Sequence, residues 1–467
     1  MRRNIILTAL LGLSLSACNL LGPVDDIQPD YVLTDENVIT DTNSPEYLLN
    51  GIYSLYRESG ITSMRNGMFI LTGTLYNSTT AEGATNFREN TLRVQNNTVL
   101  NYYRTLYTII NQANSLTAAL ANSSPDGLTP ERKAEILGET AFHKAFAEFM
   151  LLRSFGEFWD QTSPYGVVLY DEPVRDNDTE AKARSTVAVC YTQILADLDV
   201  ADNAPAYDGR AYRVNKATVK MLRARVMLYM GEYGQAATLA QEAIDATGST
   251  LGDYLNIFAQ GFSSPETLFA PYVDYPLETL GTNITNDVTN GYGNTVELIA
   301  DELAGTVGDG LYDARYTAAF TPGSLQKYVL NNPSTGDENT YYLMRLAELY
   351  LIKAEAEARQ GNYTPARTAL KAITDRAGYA ADYVDGIADS DLLLTIFRHK
   401  YMELAAENYE EWFDMVRYSQ LDGTDFSAAG LNYTHSMQNL VLPIPEQALS
   451  GNNLLEQNPS YELTSNQ

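Results

Sequence analysis

Histidine, cysteine, tryptophan and positive charge are all scarce in this sequence. Three His and two Cys in 467 residues leave little material for His-dependent acid–base catalysis or a multi-ligand zinc centre. His143, His399 and His435 are scattered, with no His-x-x-x-His or Glu-x-x-His pair. No Gly-x-Ser-x-Gly elbow and no phosphate-cradling Gly-rich loop occurs. The acid-rich turns Asp176–Asp178 and Asp422–Asp425 match no calcium loop. No catalytic residue, metal or cofactor is therefore expected. The 31 Lys and Arg face 59 Asp and Glu, a net charge of −28. A nucleic-acid partner is excluded on that ground, because displacing phosphate counterions needs a basic surface. The two Trp, Trp159 and Trp412, fall at helix ends and are expected in the core.

Tyrosine is abundant: 33 of the chain's aromatics. Each offers an apolar face and a polar tip, which suits a wet binding surface. The start of the chain is equally distinctive. Met1-Arg2-Arg3 precedes an apolar run, Ile5 to Leu15, about half the roughly 20 residues that span a bilayer. This is the pattern of an export signal. It ends in Leu15-Ser16-Ala17-Cys18, similar to a bacterial lipobox, so residues 1–17 are read as a cleaved signal and Cys18 as the lipidated residue. The mature chain would then carry 29 basic and 59 acidic residues, a charge of −30. Residues 18–45, with Gly22-Pro23, Asp25-Asp26 and Pro29-Asp30, read as a polar tether. Cys190 is left without an intramolecular partner and is expected to be a buried small apolar residue.

From residue 46 onward the pattern is helical, with two inserts. Ser44-Pro45-Glu46 and Thr129-Pro130-Glu131 are helix starts. Helical spacing marks 46–56, 102–120, 130–155, 185–198, a pair over 215–246, 342–360, 365–377 and one long helix from Asp389 to about Tyr418. Residues 60–98 and 247–340 lose the period and are read as long irregular inserts. The second has room for short strands at Thr267–Tyr272 and Gln326–Leu330. Stretches of this length are usually functional when ordered. An internal repeat is also visible. Ala224…Gly231-x-Tyr233-x-x-Ala236 matches Ala354…Gly361-x-Tyr363-x-x-Ala366. Gly ends one helix, Tyr packs in the turn, and small residues let antiparallel helices approach, as in tetratricopeptide hairpins.

Several segments together resemble the SusD/RagB family of outer-membrane lipoproteins. They are the lipobox at Cys18; Tyr103-Arg104-Thr-Leu106-Tyr107 through Asn111 and Asn114; Arg345-Leu-Ala-Glu348-Leu-Tyr350 through Ala354-Glu355-Ala356; Arg398 through Glu403 and Glu407 to Trp412-Phe413-Asp414-Met415-Val416-Arg417; and Leu442-Pro443-Ile444-Pro445 with Asn458-Pro459-Ser-Tyr461. Tyr409-Glu410-Glu411 departs from the pattern, which often has Gly and a basic residue there. The resemblance implies a mainly all-α fold of about four tetratricopeptide-like helical hairpins, with loop inserts, forming one domain over 46–467. It implies a surface-exposed lipoprotein anchored in the outer membrane by lipid. Such a protein binds an oligosaccharide or polysaccharide, passes it to a TonB-dependent SusC-like transporter, and is not an enzyme. A peptide or other nutrient ligand, or a tetratricopeptide scaffold without small ligand, remains open.

The charged motif residues have a structural reading. Glu348 and Glu355 are seven apart and Glu403 and Glu407 four apart, each pair on one helix face, where carboxylates pair with Arg. A sugar site needs flat aromatics for C–H faces and amide or charged groups for hydroxyls. Both inserts supply them, and the family's ligand contacts come from loops in these regions. The candidate ligand-binding residues are Tyr76, Asn77, Phe87 and Arg88 in the first insert and Tyr272, Tyr275 and Tyr292 in the second; Asn86, Asp274 and Asn294 accompany them.

Overall fold

The computed structural model describes residues 38–464 apart from 124, 176–179, 274–279, 281–290, 305–312, 323 and 330–339. Cys18, the signal segment, most of the tether and Tyr275 lie outside the described residues. In chain order the first helices are α1 (Ser44–Ser54), α2 (Ser59–Leu71), α3 (Ala84–Glu89), α4 (Asn97–Asn122), α5 (Pro130–Phe155), α6 (Val187–Ala201), α7 (Lys216–Met230), α8 (Tyr233–Thr247) and α9 (Tyr254–Gln260). Then come β1 (Thr267–Phe269), α10 (Asn294–Ala304), α11 (Ala314–Ala319), β2 (Phe320–Thr321), β3 (Ser324–Leu325), α12 (Gln326–Val329) and β4 (Met344–Arg345). The chain closes through α13 (Leu346–Arg359), α14 (Tyr363–Arg376), α15 (Asp389–Leu404), α16 (Glu410–Asp422) and α17 (Glu446–Gly451).

Four of the long helices, α4 to α7, start where side-chain caps stand. Asn96 accepts from the Val99 N–H, Thr129 from Arg132, and Thr186 from Val189, while Asn215 and Thr218 form a capping box. Packing follows a tetratricopeptide-like series: α4 on α5, α5 on α6, α7 on α8, α8 on α13 and α13 on α14. The two repeat copies thus stack directly, α8 of the first against α13 of the second. Gly231 and Gly361 end their helices in the left-handed region, at φ 83° and 76°. Buried Ala224, Ala236, Ala240, Ala354, Ala366 and Ala369 keep the paired backbones close.

Four sequence expectations need correction, the first being the irregular insert over 247–340, whose described residues form α9, α10 and α11. The stretch from residue 60 is not irregular, since α2 occupies it. Every residue from Gly60 to Leu71 except Ser63 is buried, so the helix has no polar face and shows no amphipathic period. The expected strand from Gln326 is a helical turn instead. Lys327 and Tyr328 both point inward, onto Glu407 Oε1 (2.6 Å) and the Ala406 carbonyl (2.6 Å), whereas neighbours on a strand face opposite ways. The long final helix is broken between α15 and α16, with Ala406 at φ 64° and Tyr409 at φ 54°. The carbonyls freed there accept from Lys327 Nζ and Arg345 Nη2 at Glu403, and from Tyr328 at Ala406. Of the other expected strand, β1 forms and pairs antiparallel with β4.

The motif carboxylates are buried ion-pair partners. Glu348 holds Arg225 (2.7 Å), Glu355 holds Arg417 (2.7 Å), and Glu403 and Glu407 hold Arg345 (3.0 and 2.6 Å). Trp412 is buried and Trp159 half-buried. Cys190 is buried and unpaired, and burial raises its thiol to about 11.

Candidate functional site

The two inserts meet edge to edge. Gly293 N–H donates to the Thr74 carbonyl (2.9 Å), Thr295 N–H to Gly73 (3.1 Å) and Tyr76 N–H to Gly291 (3.4 Å), while Leu75 and Tyr292 form an antiparallel bridge. The approach is so close that a Cβ on Gly293 would stand 2.2 Å from the Gly73 carbonyl oxygen. Gly293→Ala is therefore expected to destabilise the protein by about 1–3 kcal/mol through overpacking. An unchanged denaturation midpoint would count against this seam.

Above the seam lies a cleft of about 320 Å³. Tyr76 and Arg88 come to it from the first insert, Asn294 from the start of α10, and Asn432, Thr434 and His435 from the C-terminal tail. The Tyr76 ring is 47% exposed. The Arg88 guanidinium lies 4.5 Å from its centroid, and Arg88 Nη1 donates to the Tyr76 carbonyl (3.0 Å). This cation–π contact and backbone bond fix the ring's orientation. The tail is tied in by the Thr295 hydroxyl, which donates to the Tyr433 carbonyl. Tyr292 stands behind the cleft rather than in it. Its hydroxyl donates to the Thr321 carbonyl (2.7 Å) and its ring meets Phe320 edge-on (centroids 5.0 Å apart). Burial raises the Tyr292 hydroxyl well above its ordinary range. The described lining holds no carboxylate.

The remaining candidates fall elsewhere. Phe87 is a correction: it is fully buried, its ring pressed against α2, 2.6 Å from where a Cβ on Gly67 would stand. It is core, with no face for a ligand. Asn77 is half-buried beside Tyr76. Tyr272 is exposed but lines a different cleft, with Tyr212. The sequence reading missed Asn432, Thr434 and His435, which carry no local signal and arrive through the fold of the tail. Among the described residues no three His, Cys, Asp or Glu side chains form a metal-holding group. His143 and His399 are buried, and desolvation lowers both to about 3.

Comparison with known proteins agrees with this architecture. Residues 283–461 match the SusD family, and residues 26–228 match a family described as starch-binding associating with outer membrane. A SusD-like protein P38 of Formosa agariphila is 23% identical over 98% of this chain and 99% of its own. Among solved structures, a putative sugar binding protein of Bacteroides vulgatus is 25% identical (TM-score 0.71; 91% of this chain, 100% of that one). A laminarin binding SusD-like protein is 20% identical (TM-score 0.65; 90% and 100%). With both halves matched and the helical series shared, this chain belongs to the SusD family.

Proposed function

We propose that this protein is a lipoprotein of the outer-membrane surface, anchored through Cys18. It binds an oligosaccharide in the Tyr76–Arg88 cleft and delivers it to a TonB-dependent SusC-like transporter. The observation that carries the site is the exposed Tyr76 ring, oriented by Arg88 and surrounded by Asn294, Asn432, Thr434 and His435. A pyranose presents C–H groups to such a ring and hydroxyls to amides, hydroxyls and guanidinium. Family membership and the sugar- and laminarin-binding relatives support a glycan.

Calorimetry against a polysaccharide panel that includes laminarin tests the reading. Tyr76→Ala should weaken the binding observed by about tenfold, ~1.4 kcal/mol, with the melting temperature unchanged. If no polysaccharide binds and oligopeptides do, the glycan assignment falls. Co-purification with a TonB-dependent transporter from the native membrane tests the partner.

A further inference from the structure

A second exposed tyrosine is built like Tyr76. Tyr272 is 48% exposed and opens on a cleft of about 480 Å³. None of the described residues that line it belongs to the Tyr76 cleft. We infer that this cleft is a second sugar site, which takes a neutral pyranose unit. The inference goes beyond the single site proposed above, and rests on that reading for the ligand class.

The ring is held by a small core of its own. Phe262 stacks on Tyr272 (centroids 5.9 Å apart, 14° between planes), and Tyr212 meets it at 5.2 Å and 65°. Tyr212 and Phe262 also contact each other (5.5 Å). Ala211, Ala270 and Val273 are buried with Phe262, and the Ala270 N–H donates to the Ala211 carbonyl (2.9 Å). Two segments distant in sequence are thus joined around one ring. Exposure alone would not mark a site, since single exposed aromatics are ordinary on protein surfaces. The buttress does more. A ring fixed before the ligand arrives loses little further freedom when the C–H face of a sugar lands on it.

Polar groups for sugar hydroxyls come from α1 and from the segment 210–213. Asn50 and Ser54 line the cleft from α1. Asn50 is exposed, and its Oδ1 accepts from Arg213 (2.7 Å). That bond sets the amide so that its NH2 group remains to donate. The arginines of the lining are already paired. Arg213 contacts Glu46 (3.3 Å) and Glu139 (3.7 Å), and Arg210 donates from Nε to Asp208 (2.6 Å). Arg57 is not without a partner either. With their charge compensated, the guanidiniums of Arg210 and Arg213 act as hydrogen-bond donors rather than as a field for an anion. A flat ring with amide, hydroxyl and guanidinium donors beside it suits a neutral pyranose.

The test counts sites. Purified protein is titrated in a calorimeter with hexasaccharides of the laminarin, starch, xylan and mannan series. The wild type should take up a second equivalent of one of them, which Tyr272→Ala loses. Tyr272→Phe keeps the flat face and should retain that equivalent within about twofold in affinity. Tyr76→Ala should lose the other equivalent and keep this one. Asn50→Ala should weaken the second site about tenfold, and it keeps the test open should Tyr272→Ala fold poorly. A single equivalent that Tyr272→Ala abolishes and Tyr76→Ala leaves intact would support this site and overturn the Tyr76 one. A single equivalent lost only in Tyr76→Ala, or a second one that survives both Tyr272→Ala and Asn50→Ala, overturns the inference and leaves the glycan reading standing. If none of the four binds, the site falls together with the glycan reading it rests on.

Discussion

Arg345→Met is expected to cost the fold about 3–5 kcal/mol, the range for removing one member of a buried ion network. Arg345 joins three segments. Its Nε meets Glu407 Oε2 (2.6 Å), its Nη2 meets Glu403 Oε1 (3.0 Å) and donates to the Glu403 carbonyl (2.9 Å), and its Nη1 lies 3.7 Å from Glu266. All four residues are buried. Burial alone would push the Glu403 carboxyl up. Arg376, Arg345, Arg315 and Lys327 overcome it and hold that carboxyl well below the usual range. Losing Arg345 leaves Glu403 and Glu407 with fewer cations in a region that water does not enter. Arg345→Lys should recover only part of the loss, because a single ammonium cannot reproduce the fork that bridges α9–β1, α15 and the bend after it. Chemical denaturation reads the effect. A midpoint for Arg345→Met within about 0.5 kcal/mol of wild type would show that the remaining cations suffice.

This network also shows what the sequence could and could not tell. The spacing of Glu348 and Glu355, and of Glu403 and Glu407, made helix faces legible, and the Arg residues nearby made pairing legible. Which Arg meets which Glu was not, since Arg225, Arg315 and Arg376 come from distant segments. Helices with a clear start or stop, such as α4 with its apolar stripe, α5 with its Thr129-Pro130 start and the α7–α8 pair around Gly231, could be read to within a few residues. In α2 burial on all sides removed the period that would have announced it. In α10 the signal was present, with Val296, Ile299, Ala300 and Leu303 at helical spacing, but it was hidden among Gly- and Asn-rich neighbours. The bend at 405–409 has no local cause. It exists because Lys327, Tyr328 and Arg345 take the carbonyls that a continuous helix would use.

The candidate site was legible by composition and not by residue. Tyr76 and Arg88 lie where an aromatic, amide-rich segment pointed. Phe87 does not, because successive residues on the short helix α3 point about 100° apart, which turns Phe87 into α2 and Arg88 to the cleft. Tyr272 separates from Tyr76 because the second insert runs through both clefts, a property of tertiary path alone.

Glu411→Gln is expected to flatten part of the protein's pH profile and to stabilise it at neutral pH and above. Glu411 is buried in α16, and neither carboxylate oxygen meets a donor from another described residue. It stands where the family pattern often has a basic residue. Burial pushes its carboxyl up to about 8, with Glu407 and Glu410 adding to the shift. An unfolded Glu titrates near ~4.3. The folded chain therefore keeps a proton that the unfolded chain has already released between ~4.3 and 8, and stability falls as pH rises through that window. The slope is at most ~1.4 kcal/mol per pH unit. Gln carries no such proton and has nearly the same shape. The variant should match wild type near pH ~4 and exceed it by several kcal/mol near pH 8. Other shifted carboxyls, raised at Glu139, Glu266 and Glu348 and lowered at Glu355 and Glu410, titrate in both proteins and largely cancel in the difference. Denaturation midpoints for the pair across pH 4–9 measure it. Parallel curves would mean that Glu411 ionises in the folded protein with a partner, and would remove the buried neutral acid from this account.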